Sequence, residues 1–182
     1  MALKSTVYKA SLNVSDMDRH YYAEHALTLA RHPSETDERM MVRLVAFALY
    51  ADERLEFGRG LSTEDEPALW LRDYDGSIRL WVEVGLPDER ILRKACSRAD
   101  RVVLLAYGGR GVGVWWDNNR NALARLDKLE VLEVPQAASE ALTGLVERGM
   151  QLQATIQDGV LWLSGEGGTV ELTVRPPGGS SA

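Results

Sequence analysis

The sequence predicts an α/β protein in which a mixed β-sheet is flanked by helices. Three observations carry this. Alternating apolar residues mark strands near both ends of the chain, "STVYKASLNVS" and "RHYYAEHALTLARH" at the front and "MQLQATIQ", "GVLWLS" and "TVELTVR" at the back. In the middle, "ALWLRDY" and "SIRLWVEV" are separated by Asp75-Gly76, a strong short signal for a β-hairpin. From Pro87 onward helical and strand patterns alternate, which calls for helical crossovers between strands of one sheet.

The elements follow in order. The first two strands form an antiparallel hairpin joined around "DMD", with His20 and His25 in the second strand on opposite faces. "HPSETDERMMVRLVAFALYAD" begins a helix, with Ser34 and Asp37 as an acidic capping box after Pro33. "RLEFGRG" is a short strand closed by glycines, and the Asp75-Gly76 hairpin follows. "DERILRKACSRA" is a second helix, with acids in its first turn and bases further along, as the helix dipole prefers. "RVVLLAY" is a buried strand, "VWWDNNRNALARL" a helix, "KLEVLEV" a strand and "QAASEALTGLVERG" a helix, before a closing meander with turns at Asp158-Gly159 and "GEGG".

The chain has 182 residues, enough for one domain with a sizeable core, here residues 1–175. "PPGGSSA", residues 176–182, reads as a flexible tail. No apolar run approaches the roughly 20 residues of a membrane helix. The first residues lack a signal-peptide core, so a cytoplasmic protein is expected. The single cysteine, Cys96, excludes an internal disulfide and a multi-cysteine zinc site, and its position in a helix suits a small buried apolar group. A net charge of −6 is a poor footprint for broad nucleic-acid binding, yet it leaves room for a local basic groove.

Several motifs carry no chemistry at their spacing. "YGGRGVGVWW" does not give G-x-G-x-x-G and is not followed by G-K-[ST], so it reads as a turn. His20, His25 and His32 lack the i, i+4 spacing of a zinc pair.

The hairpin is more informative. With Asp75 and Gly76 as a two-residue loop, Tyr74 faces Ser77, Trp70 faces Trp81 and Glu83 faces Ala68. Asp73 then lies near the hairpin tip, roughly 17 Å from Glu83 at ~3.3 Å per residue. The acids able to share a cation with Glu83 are Asp65 and Glu66, entering the first hairpin strand. Glu38 lies on the apolar stripe of the first helix with Met41, Val42, Val45 and Leu49. The second helix and its flank hold five bases, Arg90, Arg93, Lys94, Arg98 and Arg101, which place positive charge close after Glu83.

Four blocks, "DMDRHYYAEHALTLARHPSETDERMMVRLVAFAL", "LEFGRGLSTEDEP", "PDERILRKAC" and "TIQDGVLWL", resemble the YaeQ family of bacterial proteins over essentially the whole chain short of the tail. The resemblance implies a restriction-endonuclease-like core of the PD-(D/E)xK superfamily, in the order αβββαβ, with added N- and C-terminal antiparallel strands. It implies Mg²⁺ held by Glu83, by Asp65 or Glu66, and by Glu38. The superfamily pattern requires a lysine where "EVG" has Gly85, and Lys94 is the implied replacement, with Arg93 or Arg90 behind it. Two functions follow as expectations. One is a Mg²⁺-dependent nuclease with Glu83, Asp65, Glu66 and Lys94 as catalytic residues and Arg90, Arg93 and Arg98 on nucleic acid. The other is an inactive nuclease-fold module that binds nucleic acid or a protein partner, linked to transcription.

Overall fold

The computed structural model describes residues 4–59 and 65–178. Among these the chain is a mixed α/β protein with four helices and two five-stranded mixed sheets, distributed over two compact units. The first unit comprises residues 1–51 and 137–174, and the second residues 52–136 and 175–182.

In the first unit, β1 (Thr6–Asp16) and β2 (Tyr21–Arg31) form the expected antiparallel hairpin. His20 belongs to its turn, at φ 56°, and not to the strand. The closing strands β8 (Gly149–Gln157), β9 (Val160–Gly165) and β10 (Gly168–Leu172) are the expected meander. The terminal strands are not additions to one antiparallel sheet. They build a sheet of their own, ordered β10-β9-β8-β1-β2, in which β1 and β8 run parallel. Alternation specifies which face of a strand is buried, and leaves its partner and direction open. Here Leu12, Val14, Leu29, Leu152, Ala154 and Leu163 are all buried on the inner face.

Helix α1 (Asp37–Leu49) is capped by Thr36, whose hydroxyl accepts the Arg39 N–H at 3.1 Å, two residues later than the expected Ser34. Ser34 instead bonds His32 Nδ1 at 2.6 Å. Residues Met40 to Ala48 are buried without interruption, so α1 is enclosed on all sides. One of these is a charge. Arg43 donates to both oxygens of buried Glu35, Nη2 to Oε1 at 2.6 Å and Nε to Oε2 at 2.9 Å, and Nη2 also reaches the Ala30 carbonyl at 3.2 Å. Arg39 bonds the same carboxylate.

The second unit holds β3 (Leu55–Phe57), β4 (Leu69–Arg72), β5 (Ile78–Val84), α2 (Glu89–Arg98), β6 (Ala99–Ala106), α3 (Arg110–Leu123) and β7 (Leu129–Glu133), with sheet order β3-β4-β5-β6-β7. The first three strands are antiparallel, and β6 and β7 join in parallel through α2 and α3. The glycine-rich segment after β6 is largely the first turn of α3, which begins at Arg110. Helix α4 (Gln136–Leu142) is shorter than its sequence pattern and ends in a 3₁₀ turn, Thr143–Leu145. Of residues 176–182, the described ones are Pro176 to Gly178. Arg175 bridges Glu133, Pro176 lines a groove beside Trp116, and a side chain at Gly178 would meet the Trp116 ring at 3.3 Å.

The β4–β5 hairpin departs from the expected loop in an instructive way. Its loop has three residues, Tyr74 to Gly76, closed by Asp73 N–H to Ser77 O at 2.8 Å, with Gly76 at φ 86°. That shifts the register by one. A bulge then restores it, because Arg72 faces Ile78 while Leu71 faces Leu80, leaving Arg79 as the extra residue. Trp70 therefore faces Trp81 as expected, and the rings meet edge to face at 6.0 Å.

Candidate functional site

Glu83 lies near the end of β5, two residues past Trp81 and so on the same face of the sheet. That face carries α2, whose Leu92, Ala95 and Cys96 pack in one cluster with Trp81 and Trp70. Burial pushes the Cys96 thiol up, which suits its packing role. Trp81 is buried, and its indole N–H donates to Glu83 Oε1 at 2.9 Å. The Arg98 guanidinium sits 5.0 Å from the Trp81 ring centroid and donates to the Asp65 backbone carbonyl at 2.8 Å. One turn earlier on α2, Lys94 Nζ bonds Asp65 Oδ1 at 3.1 Å. A connected line thus runs from Glu83 through Trp81 and Arg98 to Asp65 and Lys94.

The hydrogen bond and charge of Lys94 hold the Asp65 carboxyl below the usual carboxylate range. Glu66 turns elsewhere, accepting the Arg59 N–H at 2.8 Å with the Arg59 side chain 3.6 Å away. Glu38 belongs to the first unit, where it accepts the hydroxyl of fully buried Ser139 at 3.0 Å. Asp73 stays at the hairpin end, paired with Arg54 at 3.2 Å and with Arg79.

On α2, side chains alternate between burial and water with helical period. Arg90, Arg93, Lys94 and Arg98 are exposed and recur at three- and four-residue intervals, so they form one basic stripe. Arg93 also bonds Glu89 at 3.2 Å, an i, i+4 pair.

Among the described residues no group of three or more histidines, cysteines, aspartates and glutamates is placed to hold a metal ion. Asp65, Glu66, Glu83 and Glu38 each accept a hydrogen bond from a different protein donor. Gly85 adopts φ 101°. Side chains rarely enter that region, so Gly85→Lys is expected to lower stability by about 1–2 kcal/mol. Urea melts check this, and a neutral result would mean the backbone relaxes there. Sequence reasoning missed Trp81 as the donor to Glu83. The signal was present, since residues i and i+2 of a strand share a face.

A model of the YaeQ protein family matches residues 1–174. The uncharacterized protein YaeQ of Salmonella typhi is 51% identical over 172 residues, covering 94% of this chain and 95% of that protein. Its counterpart in Escherichia coli K12 is 48% identical over 174 residues, 96% of each. Among solved structures, the YaeQ protein from Xanthomonas axonopodis pv. citri superposes with a TM-score of 0.91 at 53% identity, covering 95% of this chain and 98% of that one. The YaeQ protein from Pseudomonas syringae gives 0.91 at 40% identity, with 97% of each covered. With nearly full-length matches in both sequence and structure, the chain belongs to the YaeQ family.

Proposed function

We propose that the protein binds the sugar–phosphate backbone of nucleic acid through the exposed face of α2, without hydrolysing it. The observation that carries this reading is the stripe of Arg90, Arg93, Lys94 and Arg98 on one helix face. Such a row neutralises successive phosphates and reads no bases, because phosphate contacts position a protein without specifying sequence. The local charge opposes the net charge of −6, so binding is confined to this face. The PD-(D/E)xK core that the family resemblance implies supports nucleic acid as the partner, and the engagement of Asp65, Glu66 and Glu83 by protein donors favours binding over cleavage.

Hydrolysis is the second reading. The line linking Glu83, Asp65 and Lys94 favours it, since it gathers three residues of the superfamily pattern beside α2.

The test is fluorescence anisotropy with labelled duplex and single-stranded DNA and RNA between 25 and 200 mM salt, values chosen to span screened and unscreened conditions. With roughly three or four phosphates contacted, log K should fall against log salt with a slope of about −2.7 to −3.6 on duplex. Arg93→Ala should weaken binding several-fold on every sequence and flatten the slope by about 0.9. Absence of binding at the lowest salt, by the wild-type chain and by Asp65→Asn alike, would refute the reading. Cleavage in Mg²⁺ or Mn²⁺ that disappears in Glu83→Ala would establish the second one.

A further inference from the structure

The pairing on the basic face has a regulatory consequence. Lys94 and Arg98 stand one turn apart on α2, about 6 Å along the axis at ~1.5 Å per residue. Both are engaged by one residue, Asp65, which offers its carboxylate to Lys94 at 3.1 Å and its carbonyl to Arg98 at 2.8 Å. We propose that Asp65 is an intramolecular phosphate mimic that occupies the basic face of α2 and must be displaced for a nucleic-acid backbone to bind. This rests on the binding reading above.

Three features fit a displaceable mimic better than a structural pair. The Asp65 side chain is 80% exposed and that of Lys94 47% exposed, so the contact is solvated and screened. The Asp65 carboxylate bonds Lys94 alone among the described residues, so it tethers nothing else. Its two acceptors meet two bases of the stripe one helical turn apart, Lys94 and Arg98. A carboxylate and a phosphodiester oxygen make the same charge-assisted bond to an ammonium, so the two compete for Lys94 directly.

The experiment measures binding of fluorescein-labelled duplex DNA and RNA by the full chain and by Asp65→Asn, with Glu171→Gln as the charge control. Glu171 is exposed on β10, and its substitution removes the same single charge from the first unit. Freeing Lys94 should tighten binding roughly two- to fivefold at low salt, as expected for an exposed ion pair. It should also steepen the salt slope by about 0.9, because one more phosphate is neutralised. The gain should vanish in Asp65→Asn/Lys94→Gln, while Glu171→Gln should shift affinity far less.

If the wild-type chain binds and Asp65→Asn binds no better than Glu171→Gln, the mimic is overturned and the binding reading stands. If neither the wild type nor Asp65→Asn binds, both are overturned. If only Asp65→Asn binds, both are supported, and the contact is autoinhibitory in the full sense.

Discussion

Glu35→Ala should destabilise the first unit by about 3–5 kcal/mol, because it leaves a buried guanidinium without its counter-charge. Arg43 is 2% exposed and sits within a helix buried on all sides. It bonds both carboxylate oxygens of Glu35 and the Ala30 carbonyl. Remove Glu35 and Arg43 loses both of its bonds to that carboxylate, while Arg39 loses its partner as well. The paired state itself is not a large source of stability, since two desolvated charges roughly offset their mutual attraction. The double change Glu35→Leu/Arg43→Met should therefore cost much less than Glu35→Ala alone. Urea denaturation of the three proteins decides the matter. A cost below about 1 kcal/mol for Glu35→Ala, or a double change worse than the single, would show that the charge is solvated in solution.

The second large effect is expected at Trp81. Trp81→Ala removes a side chain 1% exposed from the packing between β5 and α2, and large-to-small changes of this kind cost about 3–5 kcal/mol. It also deletes the edge-to-face partner of Trp70 and the ring beneath Arg98. Trp81→Phe separates packing from hydrogen bonding. It keeps most of the apolar area and loses the N–H that Glu83 accepts, a charge-assisted bond worth roughly 1–3 kcal/mol. Thermal melts should rank wild type above Trp81→Phe above Trp81→Ala. Should phenylalanine melt with the wild type, the indole bond to Glu83 contributes nothing and Glu83 is held by its other neighbours. Because Arg98 rests on Trp81, the alanine variant should also weaken nucleic-acid binding more than phenylalanine does.

What the sequence by itself determined is the element order, the faces of the strands and the character of α2. These are local properties. A period of two or 3.6 states which side of an element meets the core, and the Trp70–Trp81 pairing follows from the Asp75-Gly76 turn once register is counted. Even there the count succeeded through two compensating irregularities, a longer loop and a bulge at Arg79, neither visible in composition. The basic stripe of Arg90, Arg93, Lys94 and Arg98 was equally legible, since its spacing is set by a single helix.

Only the tertiary structure decided how distant segments pair. The parallel contact of β1 with β8 joins strands more than a hundred residues apart, and no local pattern names a partner at that separation. The same holds for the side chains. Glu35 reads as an ordinary acid before a helix, yet it is drawn inside because Arg43 on the next two turns of α1 is buried with it. Asp65 and Glu66 are adjacent in sequence and go to different cations, Lys94 and Arg59. Which acid meets which base depends on where whole elements are carried by hydrophobic packing, and charges then pair with whatever lies within reach.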